Sequence, residues 1–216
     1  MSDTLLAALE TLGEHVGAAV WGVAVFACGF LLAFPVVKLG IRSLLVFPMW
    51  LLRLARKYLK PEVNAVWLCA FIFAFNTVAI FCYMVSGGLV VLPIVFDLFT
   101  GLNIGVIMLK DAEETLVEPR DDLPVTPRPR AWIGFLSLFV VMAELTSFWL
   151  AIGMGIKLGH EMQADFGWAT FVRALGPRML AYAVILVPAL AASAVAETAA
   201  IKGMMHRGPD EGGGAP

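Results

Sequence analysis

Charge is what this chain has least of: Asp, Glu, Lys and Arg make up 15% of its 216 residues, against about 25% in soluble domains. With 60% hydrophobic residues and several apolar runs longer than about 18 residues, a water-soluble domain is excluded and an integral membrane protein is expected. Histidine is as sparse. His15, His160 and His206 lie too far apart for a metal pair, and His160-Glu161 does not open an H-E-x-x-H motif. Cys28, Cys69 and Cys82 fall inside apolar runs without ligand spacing, and read as buried thiols outside any disulfide framework. No glycine-rich phosphate loop runs into a Lys, and Ser86-Gly87-Gly88 has no nearby base. No Lys or Arg precedes the first apolar run, as a secretory leader would require. The net charge of −2, with its charges segregated by segment, carries no nucleic-acid footprint. These absences lead to four expectations: no catalytic residues, no metal, no cofactor and no nucleic-acid partner.

What is present is an all-α pattern of about five membrane spans. Residues 1–15 read as an amphipathic N-terminal helix, with Leu5, Leu9, Leu12 and Val16 at helical spacing. The spans are expected at 16–37, 63–86, 89–109, 131–156 and 179–201, within a membrane domain of residues 16–207. The second and third spans, joined through Gly87-Gly88, are expected to form an antiparallel hairpin. Between the first two spans, a helix after Pro48 would place Arg53, Arg56, Lys57 and Lys60 on one arc and apolar residues on the other. That is the pattern of an interfacial helix whose basic face meets anionic lipid headgroups. The linker 110–130 reads as a solvated loop, 157–178 as a mixed loop with room for a short interfacial helix, and 208–216 as a disordered tail. Lys and Arg concentrate in 38–60, 110–130 and the tail, with only Lys157, Arg173 and Arg178 on the opposite side. The positive-inside rule then puts the N-terminus outside and the C-terminus in the cytoplasm of a plasma (inner) membrane.

Polar residues inside the spans are few, and a charged side chain there costs on the order of 3 kcal/mol. Glu144 is the one charged residue of the run 131–156. Counted from the span ends, Asn76, Asp97 and Glu144 fall near the midplane, with Asn103 farther along the third span. Glu197 falls nearer the cytoplasmic surface. No Lys, Arg or His occupies the middle of a span, which leaves hydrogen bonds, a bound proton or a watered cavity as the means of accommodating them. Asp97 shares a helix face with Gly101 and Gly105, a G-x-x-x-G stripe that lets backbones approach, so it is expected to face a neighbouring helix. Ala151 and Gly155 continue a similar stripe below Glu144, and Ala189 and Ser193 one above Glu197.

The order of these motifs carries a resemblance. Asn76, Gly87-Gly88 and Thr100-Gly101-Leu102-Asn103-Ile104-Gly105 come first. Ala143-Glu144-Leu145, running on to Gly153-Met154-Gly155-Ile156-Lys157-Leu158-Gly159, and Ala194-Val195-Ala196-Glu197-Thr198-Ala199 follow. Over residues 63–203 the series is similar to the stage II sporulation protein M family of polytopic membrane proteins. It departs where the family has His-Gly before the Glu (here Val141-Met142-Ala143) and where Gly101 precedes Asn103. The resemblance implies an all-helical inner-membrane protein. The family's namesake scaffolds a complex with peptidoglycan-degrading enzymes, while many relatives occur in organisms that form no spores.

Two functions are therefore expected from the sequence. The first is a non-enzymatic scaffold or subunit of a cell-envelope complex, partnered by the lipid bilayer and by another membrane or envelope protein or a second copy of itself. The alternative is a small proton- or ion-coupled permease or channel that uses the midplane carboxylates.

Overall fold

The computed structural model describes residues 2–58, 63–117 and 131–205. Its elements are α1 (Ser2–Leu39), α2 (Arg42–Tyr58), α3 (Ala65–Val85), a 3₁₀ turn (Ser86–Leu89), α4 (Leu92–Val117), α5 (Ala131–Ala164), α6 (Trp168–Ala181), a π turn (Tyr182–Leu186) and α7 (Val187–Met205). Among the described residues there is no strand, as the all-α reading expected. Among the described residues, five helical stretches are long and apolar enough to cross a membrane: Asp3–Leu39, Ala65–Leu89, Leu92–Lys110, Trp132–Ala164 and Trp168–Gly203.

Several elements run past their expected bounds, each for a local reason. Residues 2–15 and the first span are one helix of 38 residues, which runs on through Gly13 and Gly17. α2 starts at Arg42, with Pro48 inside it and buried. The chain from Lys110 to Val117, expected as loop, continues α4, and Lys110 pairs with Glu113 at 2.6 Å one turn on. α5 runs to Ala164, which shortens the expected loop to residues 165–167. Beyond it, α6 and α7 make one helix interrupted by the π turn, where the amide of Val187 reaches back to the carbonyl of Tyr182. Pro188, which has no N–H to give the ladder, follows directly and accounts for the irregularity. The cysteines also differ from expectation. All three are free, but Cys28 and Cys82 are exposed on the bundle's flank and Cys69 is half-buried. The run 208–216 lies outside the described residues.

Lipid tails are as apolar as leucine, so burial alone does not drive membrane helices together; close backbone approach and polar bonds do. Here the approach is made by glycine. A Cβ on Gly29 of α1 would stand 2.1 Å from the carbonyl oxygen of Leu98, and one on Gly101 of α4 would stand 2.1 Å from that of Phe26. Gly105 rests against Phe30 and Ala33. Residue numbers rise together along this contact, so α1 and α4 lie parallel. α5 crosses α1 in the opposite sense, with Gly153 against the carbonyl of His15 and the amide of Ala19. Phe148 and Trp149 turn ring edges onto Phe26 farther along. Gly87 in the 3₁₀ turn meets the carbonyl of Gly155 at 2.1 Å from its would-be Cβ. The turn then leaves Val90 at φ 51°, an uncommon conformation for a β-branched residue. The expected hairpin forms in direction only. α3 and α4 meet near the turn, where the hydroxyls of Tyr83 and Thr100 are 2.5 Å apart, and then part company. α4 goes to α1, and α3 goes to α5 and α7, where Leu68, Ile72 and Ala194 share a core.

Candidate functional site

The polar side chains of α3, α5 and α7 converge on Glu144. Its Oε1 accepts a hydrogen bond from Nδ2 of Asn76 at 2.6 Å and one from Oγ of Ser193 at 3.0 Å. These partners come from helices 68 and 49 residues away in sequence. Glu197 stands one turn below Ser193 on α7, and i, i+4 spacing puts both on the same face. Asn76, Glu144 and Glu197 line a cavity of about 300 Å³, together with Leu51 and Leu52 of α2 and Ile107 of α4, among others. Two carboxyl groups, an amide and apolar walls, with no Lys, Arg or His among the lining residues, make an oxygen-rich site suited to a proton or a small cation. Both hydrogen bonds to Glu144 fall on Oε1 and fix its orientation. Among the described residues no three His, Cys, Asp or Glu side chains gather into a metal-binding group.

Two of the expected members stand apart. Asp97 is 0% exposed and neither of its oxygens has a hydrogen-bond partner among the described residues. It faces a neighbouring helix, α1, where a Cβ on Gly22 would be 3.3 Å from Oδ2 and 3.0 Å from Ile152. Ile152 lies eight residues beyond Glu144 on α5, so the two carboxyl groups differ in depth by about 12 Å, where counting from span ends puts both at similar depth near the midplane. Counting from span ends failed because the helices overshoot those ends by different amounts. Asn103 is half-buried on α4, one turn above Ile107, and bonds to none of the cluster.

The helix-packing residues fall where close contact is made. Gly101 and Gly105 seat α4 on α1, Ala151 is fully buried, and Gly155 lies against the carbonyl of Tyr83 and the ring of Pro93. Of the basic arc, Arg53 is exposed on α2. Arg56 and Lys57 belong to the same helix, and Lys60 lies outside the described residues.

Sequence reasoning placed Ser193 on a small-residue stripe but did not see it as a donor to Glu144. It also missed Arg178, which is 4% exposed. Arg178 forks onto Glu161 (2.6 and 3.3 Å) while donating to the carbonyls of Met154 (3.2 Å) and Ala174 (2.5 Å). The available signal was a single cation placed next to Pro177 at the head of an apolar run, with an acidic residue across the loop. Comparison with family models, curated proteins and solved structures finds no match to this chain.

Proposed function

We propose that the chain is a non-enzymatic scaffold or subunit of a membrane complex, set in a plasma (inner) membrane with its N-terminus outside and its C-terminus in the cytoplasm. The observation that carries this reading is the set of glycine contacts joining α1 to α4, α1 to α5 and the 3₁₀ turn to α5. Alternating-access transport relies on one bundle rocking against another. Backbones in direct contact at three seams leave little room for such sliding and suit a part that holds others in place. The resemblance to the stage II sporulation protein M family points the same way and suggests an envelope complex as the setting. The test is purification from native membranes in mild detergent, with mass spectrometry of what accompanies the chain. Stoichiometric membrane or envelope proteins support the proposal; a chain that purifies only with itself overturns it.

The cavity at Glu144 favours a second reading, a proton- or cation-coupled permease. The two part on one substitution. For a scaffold, Glu144→Gln keeps a carbonyl oxygen for Asn76 and Ser193 and leaves assembly intact, while Glu144→Ala strands both donors and weakens assembly about tenfold, as loss of a buried bond worth roughly 1.4 kcal/mol would. For a permease, Glu144→Gln leaves folding intact and abolishes pH-dependent flux in proteoliposomes. Unchanged flux sinks the permease reading, and equal loss of assembly in both variants sinks the scaffold account of Glu144.

A further inference from the structure

At the end of the bundle remote from α2, a cavity of about 540 Å³ opens between Thr11, Glu14 and His15 of α1, the end of α5 and the face of α6. Its volume falls in the range of small-molecule sites. Much of its polar lining is already committed. Arg178 is held by Glu161 in a two-pronged ion pair, and Thr170 donates to Asp165 at 2.5 Å. Four lining groups are not committed. Lys157 and Arg173 enter no ion pair among the described residues, Glu14 likewise, and the fourth is Nε2 of His15.

His15 is 3% exposed. Its Nδ1 lies 2.5 Å from the carbonyl oxygen of Thr11, which can only accept, so Nδ1 carries the proton. A ring protonated at Nδ1 alone presents Nε2 as a bare acceptor, and that atom is buried with no partner among the described residues. A buried acceptor without a donor is costly unless something supplies one. Two free cations call for an anionic oxygen group, and a bare ring nitrogen with a nearby carboxylate calls for an N–H donor of positive charge.

We propose that this cavity binds a small zwitterion with an anionic oxygen group and a primary ammonium a few bonds apart. The anion would lie between Lys157 and Arg173, and the ammonium would pair with Glu14 and, on entering the packing around His15, donate to its Nε2. The same chemistry is offered by a free amino acid or short peptide and by an ethanolamine phospholipid headgroup. The proposal is independent of whether the bundle acts as scaffold or permease.

The test uses the full chain in phosphatidylcholine nanodiscs, since choline has no N–H to donate. Calorimetric titration with dialanine is compared with N-acetyl-dialanine, which lacks the ammonium, and with dialanine amide, which lacks the carboxylate. In a second arm, native mass spectrometry of nanodiscs containing equal phosphatidylethanolamine and phosphatidylcholine reads which lipid stays bound. Dialanine binding at least about tenfold tighter than either blocked form identifies a soluble ligand, and selective retention of phosphatidylethanolamine identifies a lipid. Arg173 is exposed, so Arg173→Gln should fold normally and weaken whichever binding is seen by about tenfold, the loss of one charge-assisted bond. Equal binding of blocked and unblocked dipeptides together with no lipid preference, absence of binding in both arms, or binding unaffected by Arg173→Gln overturns the proposal.

Discussion

At the scale of single residues, the three intramembrane carboxyl groups have three different surroundings. Glu144 is bonded, Glu197 borders the same cavity, and Asp97 is sealed away without a partner among the described residues. A charge buried without a partner is costlier than a neutral amide of the same shape. Asp97→Asn is therefore expected to stabilise the fold by roughly 1 kcal/mol, read as a higher midpoint of thermal unfolding in detergent. A lower midpoint would mean that the carboxyl group itself is needed where it sits. That these residues are polar islands in apolar runs was legible in the sequence, because nothing else in a span competes for attention. Which of them meet was not. Asn76 reaches Glu144 across 68 positions, and pairing at that separation depends on helix rotation and neighbour choice, neither of which periodicity encodes. The same limit hid the tie between Arg178 and Glu161.

At the scale of elements, glycine decides which helices touch. Gly29 and Gly101 each sit where a Cβ would collide with a backbone carbonyl at 2.1 Å, and a carbonyl cannot rotate away as a side chain can. Gly29→Val is expected to force α1 off α4 and to cost about 3 kcal/mol or more. It should show as aggregation or a collapsed yield of monodisperse protein in size-exclusion chromatography. Gly13→Ala is the control. With nothing within 4 Å of its would-be Cβ, it should stabilise α1 by up to about 1 kcal/mol. A tolerated Gly29→Val would show that the seam is looser than drawn. The sequence made the glycine stripe of α4 visible through its four-residue spacing, yet not its partner. α1 carries Gly22 and Gly29 seven apart, a spacing that did not stand out. Helix ends were hardest to place: hydropathy marks where lipid contact stops, whereas the backbone ladder of α1, α4 and α5 continues through polar residues, and in α1 through Pro35 as well.

At the scale of the whole molecule, the helix directions agree with five alternating crossings. α1 and α4 run parallel, α5 opposes α1, and α7 opposes α3, with Lys202 donating to the carbonyl of Val63 at 2.5 Å at the far end. The proposed orientation follows from the basic residues gathered at that end, and cysteine labelling tests it. A cysteine introduced at Asp165, in the short loop before α6, should react with an impermeant maleimide in intact cells. One at Lys110 should react only after lysis, and the reverse pattern would invert the protein. Five crossings were legible because each needs only a long apolar run. Their neighbour order was not, since every span is apolar on most sides. The π turn at Tyr182–Leu186 adds a final consequence. One extra residue in a helix shifts the angular phase of everything after it by about 100°. Arg178 at one end of this long helix and Ser193 and Glu197 toward the other are thus kept in step by a single insertion. Deleting Ile185 should let the turn relax to regular helix and swing one polar group away from its partners while the other stays. Unaltered assembly and dipeptide binding in that deletion would mean that the two ends are set independently.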